Sequence, residues 1–333
     1  MKKLFSILLT LILTFALFGC TEPTSPDTLK FYAPDGAPAL SIAKFINDKE
    51  NFGMGEEVTV NYNVVSANNI GPTMAKGEGD LIVMPVNAAS KLYKANASDP
   101  YVMTAVVTHG NLYIASTEEI TLEGLKGKVI GVIGQGLVPD LTLRAILKDN
   151  DLLDDVIEGD TATDGKITIR YFAQAPDMLP LLKQGKLTVG LLPEPALTNL
   201  TTKVAADKTW NILDVQELYD ADAKAYPQAV LMVKKSVYNK YKAQIDAMGE
   251  YFASNLSWIK ENTTVAVDAI KSALPEGVEP SLNAGVLSAS VIDNCKIYYQ
   301  SSEDAKQQVI DYLNKIIAVN PDSAKAVSDD FFA

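Results

Sequence analysis

The sequence predicts an α/β protein of two lobes, each a mostly parallel sheet flanked by helices and joined by a two-segment hinge. Three observations carry this. Ala67, Pro72, Gly77, Pro85 and Ala88 recur as Ala175, Pro180, Gly185, Pro193 and Ala196, a constant offset of 108 residues. Around both sets, strand and helix signals alternate as in a βαβ layout, whose strand-end loops converge on a cleft when two such units face each other. At 333 residues and 47% hydrophobic, the chain is long and apolar enough for two cored lobes.

Residues 28–33 alternate like a strand, and the turn from Pro34 to Pro38 leads into an apolar-periodic helix that runs through Ile46. Residues 58–65 read as the next strand and 68–76 as the next helix. Gly79-Asp80 then leads into a strand, 81–84, that ends at Pro85-Val86-Asn87. The crossover rule makes this βαβαβ series parallel. A second series begins at Leu125-Lys126-Gly127-Lys128: strand 129–133, glycine turn Gly134-Gln135-Gly136, helix 139–148, strand 167–172, helix 176–184 and strand 187–192. Between the two series, 102–116 is strand-rich and interrupted by Thr108-His109-Gly110-Asn111. Residues 228–233 form one more strand. From Lys240 onward the chain reads as mainly helical, with amphipathic runs at 245–260 and 304–317. This order has lobe one made of residues 28–110 and 227–333, and lobe two of 111–226. Gly110 and Pro227 mark the crossings, where they suit a hinge as well as plain turns.

The N-terminus predicts the compartment. Met1-Lys2-Lys3 is a positive n-region, and the apolar run at 4–18 falls short of the ~20 residues that a bilayer span needs. Leu17-Phe18-Gly19-Cys20 resembles the lipobox of bacterial lipoproteins, although Phe18 is bulkier than usual there. Residues 1–19 are then a signal peptide, Cys20 the lipidated residue, and 20–27 a Pro/Ser/Thr tether that places the protein outside the cytoplasm on a membrane. An ordinary secretory signal with an unrelated cysteine is the other reading. Loss of Lys2 and Lys3 with the signal takes the formal charge from −12 to −14, which argues against nucleic acid and anionic lipid surfaces as partners. Cys295 is left with no disulfide partner.

Taken together, Cys20 with its lipobox, Pro34-Asp35-Gly36-Ala37-Pro38-Ala39, Gly79-Asp80, Leu125-Lys126-Gly127-Lys128, Leu192-Pro193-Glu194-Pro195-Ala196-Leu197, Tyr226-Pro227-Gln228, Asn320-Pro321-Asp322 and Asp329-Asp330-Phe331-Phe332 carry a resemblance. The chain resembles the type II periplasmic substrate-binding proteins of ABC importers, in the group of nitrate, sulfonate/taurine and thiamine-precursor (NMT1/THI5-like) binders. The resemblance covers nearly the whole mature chain. It implies a monomeric Venus-flytrap protein that holds a small molecule between its lobes and presents it to a permease driven by a separate ATPase.

Strand-end loops and helix N-termini present unpaired amides, so the binding candidates are the tip residues Asp35, Gly36, Asn68, Asn69, Asn87, Thr108, Gln135, Gly136, Glu194 and Tyr226. Asp35, Asn68 and Asn69 equally suit helix caps and turns, and Gly36 and Gly136 serve backbone geometry first. Glu194, held between Pro193 and Pro195, is the sharpest candidate on lobe two, with Asn87 on the opposing lobe. Tyr226 could stack on a ring. These tips hold two acids and no Arg or Lys, which favours a neutral or cationic nitrogenous ligand, such as a pyrimidine like the thiamine precursors. A nitrate- or sulfonate-type anion held by helix N-termini is the alternative.

An enzyme is not expected, nor a metal or cofactor. His109 is the one histidine, and Gly-x-Ser-x-Gly, Walker A and Cys-x-x-Cys patterns are missing. The glycines from Gly131 to Gly136 do not follow the dinucleotide order. His109 reads as a hydrogen-bonded hinge residue. A lipid-anchored ligand sensor, or acid–base chemistry by Asp35 and Glu194, are the other classes the residues allow.

Overall fold

The structure, a computed structural model, describes residues 27–223 and 225–333. The expected signal peptide, Cys20 and residues 20–26 of the tether lie outside the described residues.

Among the described residues there are two six-stranded sheets. The first takes β1 (Thr28–Pro34), β2 (Thr59–Val65), β3 (Leu81–Pro85) and β4 (Tyr101–His109). The chain then builds the second from β5 (Leu112–Ser116), β6 (Lys128–Ile133), β7 (Val156–Glu158), β8 (Ile167–Phe172), β9 (Val189–Pro193) and β10 (Asn211–Asp214). It returns to the first sheet for β11 (Pro227–Lys234) and β12 (Ile297–Ser301). The orders are β12-β4-β11-β3-β1-β2 and β10-β5-β9-β6-β8-β7. Within them, β2-β1-β3 and β8-β6-β9 are matching parallel units. Each parallel unit is bordered by an antiparallel strand that has just crossed from the other lobe, β11 beside β3 and β5 beside β9. The fold is therefore two-lobed α/β, with the antiparallel strands making both sheets mixed.

The 108-residue echo is a structural repeat. Helices Ala67–Ala75 and Ala175–Lys183 have the same length and an internal proline at the same place, Pro72 and Pro180. Both end on a glycine with φ 68°, Gly77 and Gly185, a left-handed position that costs glycine little. At each end the glycine N–H and the next N–H return to carbonyls of the last turn: Gly77 to Met74 and Glu78 to Thr73, then Gly185 to Leu182 and Lys186 to Leu181.

The C-terminal part differs from the expectation of continuous helix. The expected run at 245–260 is divided into Lys242–Asp246 and Met248–Glu261, and β12 lies in the stretch read as helical. The last helix, Ser302–Val319, packs against both lobes. Its Tyr312 hydroxyl pairs with Thr142 Oγ1 at 2.8 Å, and Lys315 Nζ meets Asp149 at 2.6 Å. Lys148 Nζ also donates to the Ala318 carbonyl, at 2.9 Å.

The apolar core is asymmetric. On one face of the first sheet, Phe31, Leu40, Phe45, Leu231 and Ile292 form a core of first-lobe residues. On one face of the second, Tyr113, Met178, Leu182, Leu192 and Leu200 form a core of second-lobe residues. The third core joins both lobes: Ile82, Met84 and Val106 pack with Ile114, Ile130 and Leu191, closed over by Tyr312 and Ile316. The lobes are thus fused along one face, here the back, and have separate cores on the other, the front.

The two crossings are tied at the back of this waist. Gly110 N–H donates to the Tyr226 carbonyl at 2.9 Å. Tyr226 stacks on Tyr312, with centroids 5.5 Å apart and planes within 7°. A Cβ on Gly110 would lie 2.2 Å from the Tyr226 ring, which Tyr312 keeps from moving away. Gly110→Ala is expected to lower unfolding free energy by about 1–3 kcal/mol in denaturant titration, as overpacking does. Tyr226→Leu should remove most of that added cost in the double variant.

Candidate functional site at the front of the waist

Side chains alternate across the crossing from β4 to β5, and core membership shows their direction. Val107 belongs to the front core of lobe one and Tyr113 to that of lobe two, whereas Val106, Leu112 and Ile114 face the shared back core. His109 and Asn111 fall in the frontward register between Val107 and Tyr113.

Glu194 reaches this place from the end of β9. Its N–H donates to the Asn111 carbonyl at 3.0 Å, and Asn111 Nδ2 donates to the Glu194 carbonyl at 3.1 Å. Gln228 Nε2 donates to Asn111 Oδ1 at 3.1 Å, adding the returning strand to the same cluster. The Glu194–Pro195 peptide is cis. The Glu194 carboxylate is buried and accepts from Thr198 N–H at 3.1 Å and Thr198 Oγ1 at 2.9 Å, capping its own short helix. Burial raises its pKa, and the Thr198 bonds partly oppose that. Cys295, in the first-lobe core, has its thiol pushed up by burial and further by the Glu194 charge. Burial also raises the Tyr113 phenol, helped by Asp214, Glu194 and Cys295. Tyr113, Glu194 and Cys295 therefore sit within each other's electrostatic reach where the front faces of the lobes meet.

His109 is 1% exposed, and burial lowers its imidazole pKa to about 4, opposed by its hydrogen bonds with Gln300 and the Lys296 backbone. Its ring lies on Tyr298 at 3.6 Å between centroids and 5° between planes. It is neutral at physiological pH.

The other predicted site residues divide by face. Asp35 and Gly36 stand at the end of β1, on the side of the first-lobe core. Asp35 is committed to backbone: Oδ1 accepts from Gly36 N–H at 2.8 Å and Oδ2 from Ser281 N–H at 2.7 Å. Asn68 and Asn69 are exposed in the first turn of helix Ala67–Ala75, whose N-cap Ser66 makes no side-chain cap bond. Asn87 is at the back, where its Nδ2 donates to the Ser323 carbonyl at 3.1 Å. Gly136 lies beside the same tail, since a Cβ there would be 3.9 Å from Ser323 Oγ. Thr108 is fully buried, and Tyr226 is in the shared core.

Gln135 and Gly136 border a back cavity of about 210 Å³ with Asp140, Arg144, Glu158, Val319 and Asn320. Arg144 was not among the expected tip residues. Its guanidinium is matched by Asp140 at 2.8 Å and Glu158 at 3.0 Å, with Tyr171 hydroxyl at 2.8 Å. Gly136 N–H and Gln135 Nε2 go to those same two carboxylates. This network is internally satisfied. Sequence reasoning did not single out Tyr113, Gln228, Tyr298 or Cys295 as site residues; period-two alternation from Val107 to Tyr113 was the usable signal for the first.

The chain matches no family profile and no curated protein. Solved structures share its fold across most of both chains. A crystal structure of an ABC transporter from Parabacteroides distasonis is 19% identical and aligns over 92% of this chain and 98% of that one, with a TM-score of 0.71. The periplasmic aliphatic sulphonate binding protein SsuA from Escherichia coli is 15% identical over 92% and 96%, with a TM-score of 0.62. A ligand binding component of an ABC-type import system from Staphylococcus aureus is 13% identical over 92% and 96%, with a TM-score of 0.56. The fold is that of the periplasmic binding proteins.

Two outcomes are expected. A histidine whose folded pKa is lowered contributes its full stability above pH ~6.5, the unfolded value, and that stability is lost as the unfolded state takes up a proton on the way to the folded value. Calorimetric Tm should therefore fall between those limits, and His109→Gln should flatten the fall; the raised Glu194 pKa acts with opposite sign, because the folded state then binds its proton first. Asn87→Ala should cost about 1 kcal/mol in unfolding free energy through the lost Ser323 bond.

Proposed function

We propose that the chain is the extracytoplasmic solute-binding component of an ABC importer, lipid-anchored through Cys20 and acting as a monomer. It takes up a small nitrogenous solute in the front cleft and passes it unchanged to a permease and its ATPase. The observation that carries this reading is the division of the cores. The lobes are joined at the back and separate at the front, so bending at Gly110 and Tyr226 opens the face on which Tyr113, Asn111, Glu194 and Gln228 gather. The shared fold with binding components of ABC systems supports the role. The gathered groups are a carboxyl, amides, a phenol and a thiol, which suit an uncharged or cationic nitrogen compound better than an anion.

A second reading, an oxyanion binder of nitrate or sulfonate type, is favoured by one observation. Both acids among the tips already accept backbone N–H bonds, while the N-terminus of helix Ala67–Ala75 has no acidic residue in its first turn and no side-chain cap.

The purified mature protein should release a small molecule on denaturation that mass spectrometry identifies, and that molecule should rebind with micromolar affinity or better, about −8 kcal/mol. Incubation should return it chemically intact; turnover would exclude the importer reading. Glu194→Ala should weaken a nitrogenous ligand about tenfold by loss of a charge-assisted contact. For an anion the same change should leave affinity unchanged or raise it.

A further inference from the structure

Two helices from different lobes end against each other at the back of the waist. Helix Val138–Asp149 comes from lobe two and helix Ser302–Val319 from lobe one. A helix C-terminus carries unpaired carbonyls and a partial negative charge, so two such ends brought together repel unless cations stand between them. Two lysines do so, and each serves the helix of the other lobe. Lys148 Nζ donates to the Ala318 carbonyl at 2.9 Å, in a last turn that has no basic residue of its own. Lys315 Nζ meets Asp149, the final residue of the lobe-two helix, at 2.6 Å. Among the described residues this is the one ion pair that joins the lobes. Asp149 adds negative charge to a helix end that is already negative, a cost that Lys315 offsets from across the junction.

The surroundings leave this junction to charge. Val319 and Asn320 border the back cavity with Asp140 and Arg144, so the end of the lobe-one helix lies beside open space instead of an apolar surface. Lys315 Nζ also lies 4.6 Å from the centroid of the Tyr219 ring, which packs on Tyr226 at 5.2 Å. The junction thereby reaches the ring that crowds Gly110. Lys148 stands about 9 Å along the helix axis from Thr142. Rotation about the crossings therefore moves it farther than the buried Thr142–Tyr312 pair.

We propose that Lys148 and Lys315 form a clasp that holds the angle between the lobes, and that ionic strength sets how tightly it holds. This rests on the reading above of a solute-binding protein that bends at Gly110 and Tyr226, and it gives that bending a control. A solute that needs another angle must release the clasp, so its apparent affinity follows the fraction of protein in which the clasp is open.

The test reads amide hydrogen exchange in the mature protein with no ligand added, at about 20 mM and about 500 mM sodium chloride, either side of the ionic strength at which charges are screened over about 10 Å. The Gly110 N–H, bonded to the Tyr226 carbonyl, reports bending, while the Phe31 and Leu192 amides, in the separate front cores, report global unfolding. At low salt Lys148→Met and Lys315→Met should each speed Gly110 exchange about threefold and leave Phe31 and Leu192 unchanged. High salt should bring the unmodified protein to the same rate. Lys315→Asp and Asp149→Lys should each lower Gly110 protection alone and restore most of it together. No change at Gly110 in either methionine variant overturns the clasp and leaves the bending cleft in place. A loss shared equally by Phe31 and Leu192 overturns it too, since the lysines then contribute to stability alone. Tyr226→Leu loosens the crossing itself and serves as the control. If Gly110 exchanges in step with Phe31 even there, the crossings do not bend, and the clasp and the opening cleft are overturned together.

Discussion

The contact of Gly110 with Tyr226, backed by Tyr312, is the constraint on which the rest of the molecule depends. Both interlobe crossings pass through it, and only a residue without Cβ leaves room for the tyrosine ring. With the ring in place, the C-terminal helix can close over it and bond to Thr142, so one apolar core extends through both lobes at the back. Burial of that extent, at about 25 cal/mol per Å² of apolar surface, resists separation of the lobes on that side. On the proposed reading, movement is directed to the front, where the cores are separate, and the position of the cleft follows from packing at the opposite face.

That geometry also explains which features were legible in the sequence. The repeat could be read because its fixed points are backbone punctuation: Pro72 and Pro180 within helices, Gly77 and Gly185 at left-handed caps, Pro85 and Pro193 at strand ends. These residues act locally and keep their meaning without tertiary context. The face on which each element lies does not have that property. Val86-Asn87 and Glu194-Pro195 occupy equivalent repeat positions, yet the helix after β3 packs into the shared back core through Val86 and Ala89, and the helix after β9 packs into the second-lobe front core through Leu197. The units are related by a rotation that exchanges front for back, which a linear offset cannot display. β12 escaped detection for a different reason. Its Ile-Tyr-Tyr-Gln-Ser sequence has no polar alternation because it is a half-covered edge strand beside the fully buried β4.

The charged tips illustrate how a residue type in a plausible place can be engaged elsewhere. In the sequence Asp35 suits a cap or turn as well as ligand contact, and Glu194 suits a cation or an N–H donor. Both hold backbone N–H groups, Gly36 and Ser281 for one, Thr198 for the other. Arg144, the cation nearest the Gln135 turn, is likewise neutralised by Asp140 and Glu158. At these tips the charges hold backbone turns or each other, and the lowered imidazole pKa of His109 removes one more cation from the waist.

Ligand-driven closure can draw only on interactions that differ between the open and closed forms. On the proposed reading, the Glu194 carboxylate, which already accepts two bonds from Thr198, meets a solute through its remaining lone pairs. On the same reading, the bonds that tie the two crossings together, Gly110 N–H to the Tyr226 carbonyl and Gln228 Nε2 to Asn111 Oδ1, are the ones that a rotation between the lobes would alter most, so the angle between the lobes and the surroundings of the front groups change together.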